Sequence, residues 1–157
     1  MNTVSLLPPA SPQNSNIRPT PCPPLPREDL DDVLAQTRGL WEEVRGQDLF
    51  ITGGTGFFGV WLLESFAHAN DHLQLGARAI VLTRNPAAFM VRMPHLAGRH
   101  DLKLFAGNLR DFPFPSGRYP FVIHAANDAD PKLAAKSPEA SMEAMDRGLD
   151  RVLDFVA

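Results

Sequence analysis

Cysteine and tyrosine are almost missing from this chain of 157 residues, which has one of each, Cys22 and Tyr119. A single thiol can form neither a disulfide within the chain nor a cysteine-based metal cluster. Redox chemistry and zinc binding are therefore not expected, and no metal ligand is predicted. The single tyrosine restricts which residue could serve as a phenolic acid or base.

An excess of positive charge is also missing, because 15 Lys and Arg are balanced by 18 Asp and Glu, for a formal net charge of -3. Proteins that bind nucleic acids or anionic membranes usually carry a basic surface, so neither partner is expected. No apolar run approaches the roughly 20 residues of a membrane span. The N-terminus lacks the basic start and the continuous apolar stretch of a signal peptide. These features predict a cytoplasmic protein.

The first part of the chain differs in composition from the rest. Residues 1–26 are rich in proline, with Ser, Asn and Thr between the prolines. Such a composition builds neither a hydrogen-bonded ladder nor a core, so we predict a disordered tail that acts as a linker. A polyproline II ligand for a partner domain is the alternative.

The segment 27–46 is predicted to be a leading amphipathic helix. Its acidic residues lie at the start, Gly46 lies at the end, and apolar or small residues recur at helical spacing: Leu30, Val33, Leu34, Thr37, Leu40, Trp41 and Val44. We expect this helix to pack on the edge of a sheet or on a neighbouring subunit.

From residue 47 onward, apolar strands alternate with helices. The predicted strands are 48–52, 79–83, 102–106 and 121–126, a helix runs from Phe57 to about Asn70, and Pro86 suits the first turn of another helix. The last twenty residues are predicted to form a helix with one apolar stripe, made of Met142, Met145, Leu149, Val152, Leu153 and Val156. This alternation predicts an α/β fold, a doubly wound parallel sheet in the order 3-2-1-4, truncated after about four strands.

A glycine-rich loop between the first strand and its helix carries the strongest functional signal. The segment TGGTGFFG satisfies both the GxGxxG and the TGxxGxxG spacings and consists of Thr52, Gly53, Gly54, Thr55, Gly56, Phe57, Phe58 and Gly59. Such glycines permit a tight turn, a close approach to a pyrophosphate, and close helix packing. The following helix N-terminus offers N–H groups to phosphates. The alternative is a tight structural turn.

The end of the second strand carries Arg84, where a site selective for NAD usually has an acid that binds the ribose hydroxyls. A guanidinium suits a 2′-phosphate, so Arg84, helped by Thr83 and Asn85, predicts NADP in preference to NAD. A solvated arginine at a strand end is the alternative interpretation.

Two further loops follow the third and fourth strands. Asn108 and Leu109 are placed to pair with an adenine and to cover its face, although an ordinary turn explains them equally well. His124, Ala125 and Ala126 end the fourth strand beside the glycine loop, where small side chains leave room for a cofactor. We expect His124 to be bonded to backbone rather than to act as a catalytic base, because no Ser or Cys nucleophile is near it in sequence.

These motifs resemble the extended short-chain dehydrogenase/reductases, specifically the NAD(P)-dependent epimerase/dehydratase family. The resemblance covers residues 47–157 and depends mainly on TGGTGFFG. It is supported by GNLRD after the third strand, by VIHAA in the fourth strand, and by Gly148, Val152 and Leu153 in the last helix. It implies that 47–157 is part of an NAD(P)-binding Rossmann domain from an oxidoreductase that acts on sugar nucleotides.

The family's hydride transfer depends on a Tyr-x-x-x-Lys pair, in which lysine lowers the pKa of tyrosine. Here Tyr119 is followed four residues later by Ile123, so the chain is expected to be catalytically incomplete and to need a C-terminal half or a homo-oligomer. One alternative is a non-catalytic NADP(H)-binding sensor or subunit module. Another is a reductase of thioesters or flavonoid-like ketones, which would share every motif above.

Overall fold

The computed structural model describes residues 20–126 and 135–157. The predicted tail lies outside the described residues up to position 19, and residues 20–26 have neither helix nor strand. The elements, in chain order, are α1 (Arg27–Glu43), β1 (Asp48–Thr52), α2 (Phe57–Leu73), β2 (Arg78–Thr83), α3 (Pro86–Arg92), α4 (Pro94–Ala97), β3 (Leu102–Ala106), β4 (Phe121–His124) and α5 (Pro138–Val156).

The described strands form one four-stranded sheet in the order β3-β2-β1-β4, with every neighbouring pair parallel. The predicted α/β class and strand order are therefore confirmed. In the central pairs, Phe50 lies opposite Ile80 on one side and Val122 on the other. Since the strands are parallel, their carboxyl ends all meet at the same edge of the sheet.

Helices cover both faces of the sheet, which explains why β1 is a continuous apolar run. Leu49, Phe50 and Ile51 are each at most 1% exposed. Side chains alternate along a strand, and Ile51 packs into one cluster with Leu63 and Phe66 of α2. Phe50 points into a second cluster on the opposite face, formed with Leu82, Leu109, Phe112 and Val152.

Helix α1 ends at Glu43, three residues before the predicted end. It packs mainly on α2, not on the edge of the sheet as expected. Trp41 is 9% exposed and its ring centroid lies 6.2 Å from that of Phe66. Leu40, which was predicted to share the apolar stripe, is 70% exposed. Helix α2 already covers this face of the sheet, so a further helix can only pack on top of it.

Helix α5 buries a different face from the predicted one. Its buried residues are mostly small, namely Ser141, Ala144, Gly148 and Val152, whereas the other residues of the predicted stripe are exposed: Met142, Met145, Leu149, Leu153 and Val156. A Cβ added at Gly148 would lie 2.7 Å from the side chain of Leu109. Close approach of the helix to the segment after β3 therefore requires small residues and turns the larger ones outward.

A polar cluster ties α2 to β2 and β3 at the amino end of the sheet. The buried amide of Asn70 donates to the Ala77 carbonyl (3.0 Å) and to the Asp101 carboxylate (2.5 Å), and Arg99 pairs with both Asp101 and Asp71. Hydrogen bonds from Arg99 lower the pKa of Asp71. Burial raises the pKa of Asp101, but hydrogen bonds from Arg99 and Asn70 outweigh it and leave that pKa lowered.

Candidate functional site

The glycine loop leaves the carboxyl end of β1 and turns against the end of β4. Gly53 has a φ of +74°, which side chains rarely adopt. A Cβ built on it would lie 2.3 Å from the carbonyl carbon of Ala125. Both the backbone conformation and the contact with Ala125, which follows β4, therefore require glycine at this position.

Two other glycines allow the loop to pack against its surroundings. A Cβ at Gly59 would lie 2.1 Å from the carbonyl oxygen of Gly53, so helix α2 touches the loop directly. A Cβ at Gly54 would lie 2.7 Å from Val81, in the core behind the loop. Gly54 was predicted to bind a cofactor, but the structure places it on the side that faces β2.

Gly56 has a different environment from the other loop glycines. Its φ of -81° suits any residue, and the one atom near a built Cβ is the Gly53 carbonyl oxygen at 3.3 Å. Gly56 is also the N-cap of α2, where no side chain caps the helix and where the first turn holds no acidic residue. The first N–H groups of a helix lack intrahelical acceptors, so this end of α2 can receive an anion.

The loop opens into a cavity of about 430 Å³ at the carboxyl edge of the sheet. The cavity is lined by the glycine loop and by the residues that follow the other strands: Thr52, Gly53, Thr55, Gly56, Phe57, Phe58, Gly59, Leu82, Thr83, Arg84, Gly107, Asn108, Leu109, Ala125 and Ala126. Every sequence-predicted site residue except Gly54, Asn85 and His124 is in this set. Leu82 and Gly107 also line the cavity. Each of them directly precedes a predicted site residue, Thr83 and Asn108 respectively.

A second arginine, which the sequence did not indicate, approaches the site. Arg92, near the end of α3, hydrogen-bonds through a guanidinium nitrogen to the Thr55 carbonyl oxygen. Asn85, which was expected to help Arg84, instead caps α3, because its side-chain oxygen accepts the Ala88 N–H at 2.9 Å. No local motif marks Arg92, since only the packing of α3 beside the glycine loop brings it close.

The residues after β3 form a turn at the edge of the cavity. The side-chain oxygen of Asn108 accepts the Arg110 N–H at 3.2 Å, and its carbonyl oxygen accepts the Phe112 N–H at 2.9 Å. Leu109 is 8% exposed and packs against Gly148 of α5. The turn is thus fixed from both sides, with the exposed Asn108 and one side of Leu109 at the cavity.

His124 lies beside the cavity instead of lining it. Its Nδ1 is 2.7 Å from the hydroxyl of Thr52, which is fully buried and also accepts the Ala126 N–H at 3.4 Å. The expected backbone partner is therefore replaced by a side-chain hydroxyl. Burial lowers the pKa of His124, which favours the neutral ring at pH 7. The hydrogen bond fastens β4 to the start of the glycine loop.

Tyr119 is a packing residue outside the cavity lining. Its ring contacts Phe50 and Phe155, with centroid distances of 5.8 Å and 5.6 Å, and its hydroxyl donates to the Ser116 carbonyl oxygen at 3.1 Å. Burial raises the pKa of Tyr119. An acid–base tyrosine needs a lowered pKa and a place at the substrate site, whereas the pKa of Tyr119 is raised and its side chain is outside the cavity lining.

No family model matches this chain, and no curated protein matches it. Among the described residues, no helix combines the length and apolar character needed to cross a membrane. The function must therefore be inferred from the cavity and from the residues around it.

Proposed function

We propose that this chain binds a nicotinamide dinucleotide, NADP in preference to NAD, in the cavity at the carboxyl edge of the sheet. The observation that carries the proposal is that the glycine loop, the uncapped N-terminus of α2 and the ends of the parallel strands open into this single cavity. Ligands of open α/β sheets bind outside the carboxyl ends of the strands, where the strand order reverses. In the order β3-β2-β1-β4, that reversal lies between β1 and β4.

The pyrophosphate fits the N-terminus of α2. Gly56 leaves the approach open, since a Cβ there would meet a single backbone atom, and no carboxylate in the first turn would repel phosphate. The N–H groups of Phe57, Phe58 and Gly59 are the donors available in that turn.

The adenosine end of the cofactor fits the ends of β2 and β3. Arg84 lines the cavity after β2, where it would bind a 2′-phosphate with a bidentate guanidinium. Arg92 adds a second positive charge nearby through its contact with Thr55. Asn108 and Leu109, at the edge of the same cavity, would bind the adenine ring.

The resemblance to the NAD(P)-dependent epimerase/dehydratase family extends this proposal to the dinucleotide-binding part of a Rossmann oxidoreductase that acts on sugar nucleotides. Bound cofactor would supply hydride chemistry, and the residues described here would bind and orient it. Tyr119 is half-buried, packs against Phe50 and lies outside the cavity lining, an observation that favours as second candidate a non-catalytic NADP(H) sensor or subunit module. Turnover of a nucleotide sugar would distinguish the two.

The cofactor preference is tested by calorimetric titration of NADPH and NADH into the wild-type chain and into Arg84→Asp. We expect the wild type to prefer NADPH and the variant to lose about tenfold or more of its NADPH affinity, the size of one charge-assisted contact. NADH affinity should be nearly unchanged. Arg38→Asp, the same substitution at an exposed arginine on α1, is the matched control. Equal affinities for the two cofactors in the wild type would refute the preference for NADP.

A further inference from the structure

A second cluster of polar side chains lies between α1 and α2, outside the cofactor cavity. His68 and His72 are separated by one helical turn on α2, and Asp31 faces them from α1. One ligand atom from each of the three residues lies within 4.8 Å of the others. Two imidazoles and one carboxylate within this distance are a ligand set for a divalent transition metal.

The hydrogen bonds show which atoms would bind. His72 Nδ1 lies 2.8 Å from the carbonyl oxygen of His68, to which it donates its proton, so Nε2 is the nitrogen that can bind a metal. A ring held in this way by a backbone carbonyl is the usual arrangement around a metal-binding histidine. His68 Nε2 lies 2.7 Å from Asp31 Oδ1, so these two ligand atoms already face each other.

Small side-chain movements would suffice to admit a metal ion. Metal–nitrogen distances of about 2.0 Å require neighbouring ligand atoms to be about 3.3 Å apart, slightly more than the present separation of His68 and Asp31. The His68 side chain is 9% exposed and stays in place, whereas Asp31 is 54% exposed and can move outward. Arg27 donates to His72 Nε2 at 3.2 Å, but its side chain is 76% exposed and can turn into solvent.

We propose that Asp31, His68 and His72 bind one Zn²⁺ ion, which fastens the first turns of α1 to α2. Zinc is favoured because imidazole and carboxylate are common zinc ligands and because its coordination adapts to three protein ligands plus water. None of the three residues lines the cofactor cavity. The zinc site is therefore separate from the proposed dinucleotide site. A failure to bind zinc would leave the dinucleotide proposal intact, and a failure to bind NADPH would leave the zinc proposal intact.

The test is a calorimetric titration of Zn²⁺ into the full chain, produced without a histidine tag. We expect binding of one ion per chain. Both His72→Gln and Asp31→Asn should lose about tenfold or more in affinity, because each removes one ligand. Slower amide exchange in residues 27–34 of the zinc-bound wild type would show that α1 is fastened.

Two matched variants control for surface binding of the metal. His100→Gln removes an exposed histidine elsewhere, and Asp32→Asn removes the carboxylate next to Asp31. Both should bind zinc as the wild type does. A wild-type dissociation constant weaker than about 100 µM would overturn the proposal. An unchanged affinity in Asp31→Asn would also overturn it, because the histidine pair on α2 would then bind without α1.

Discussion

Substitutions at two glycines of the loop should separate ligand binding from folding. Gly56→Val places a branched side chain at the open N-cap of α2, where the Gly53 carbonyl oxygen lies 3.3 Å from a built Cβ. Gly59→Ala places a single methyl group 2.1 Å from the same carbonyl oxygen. The smaller substitution should therefore cause the larger loss of stability.

The expected magnitudes follow from these contacts. At Gly59 the obstructing atoms are backbone, so the helix itself must move, and overpacking of this kind costs about 3 kcal/mol or more. A loss of this size lowers the melting temperature by about 10 °C. At Gly56 the φ of -81° suits valine. A poorer N-cap costs at most about 1 kcal/mol, partly offset by the reduced freedom of the unfolded chain.

Thermal unfolding followed by circular dichroism measures the stability of each variant, and NADPH titration measures binding. Gly56→Val should melt within a few degrees of the wild type and bind NADPH at least about a hundredfold more weakly, a loss of about 2.7 kcal/mol. Gly56→Ala is the control, because its methyl group projects less into the approach to α2. If Gly56→Val binds NADPH like the wild type, the pyrophosphate does not lie at this helix. If Gly59→Ala is fully stable, the described packing of the loop is incorrect.

Three further predictions concern the rest of the molecule. Arg99→Met should destabilise the chain by about 3 kcal/mol at neutral pH, because it leaves the 4%-exposed Asp101 without its cation. The pKa of Asp101 is lowered in the folded state, so the stability that its ion pair contributes is present above about pH 4 and is lost as the pH falls further. The free energy of unfolding should therefore differ less between pH 7 and pH 3.5 in Arg99→Met than in the wild type. Trp41→Ala should cost about 3 kcal/mol and release α1, which amide exchange would detect, whereas unchanged protection would show that Trp41 does not anchor it. The exposed Leu149 and Leu153 on α5 should cause self-association; light scattering should detect it in the wild type and less of it in Leu153→Glu, and a strictly monomeric wild type would contradict this.

Strand positions could be predicted from the sequence because parallel strands covered on both faces are short apolar runs bounded by glycine, proline and polar residues. Phe50 and Ile51 in β1 are one example, and their continuous burial leaves little choice of structure. The glycine spacing likewise predicted Gly53 and Gly59, whose close backbone contacts exclude any side chain. In both cases the structure requires a particular residue type at particular positions, apolar in the strand and glycine in the loop, and these residues are visible as a short motif in the sequence.

Helix faces and long-range contacts could not be predicted in this way. The apolar stripe of α5 is exposed because Gly148 packs against Leu109, which comes from a distant part of the chain. Arg92 reaches Thr55 for a similar reason, since its position depends on how α3 packs and not on any motif around it. His124 hydrogen-bonds to the side chain of Thr52 on the neighbouring strand. Thr52 is distant in the sequence, so the residues around His124 do not indicate this partner.

The most direct test of the account is an NMR titration of the ¹⁵N-labelled wild-type chain with NADPH. We expect saturable shifts in the amide signals of the glycine loop, Gly53 to Gly59, and in those of Arg84, Asn108 and Ala125, which surround the cavity. The amide chemical shifts of α1 should not change. The absence of saturable shifts, or shifts confined to residues remote from the cavity, would contradict the proposal that this cavity binds a nicotinamide dinucleotide.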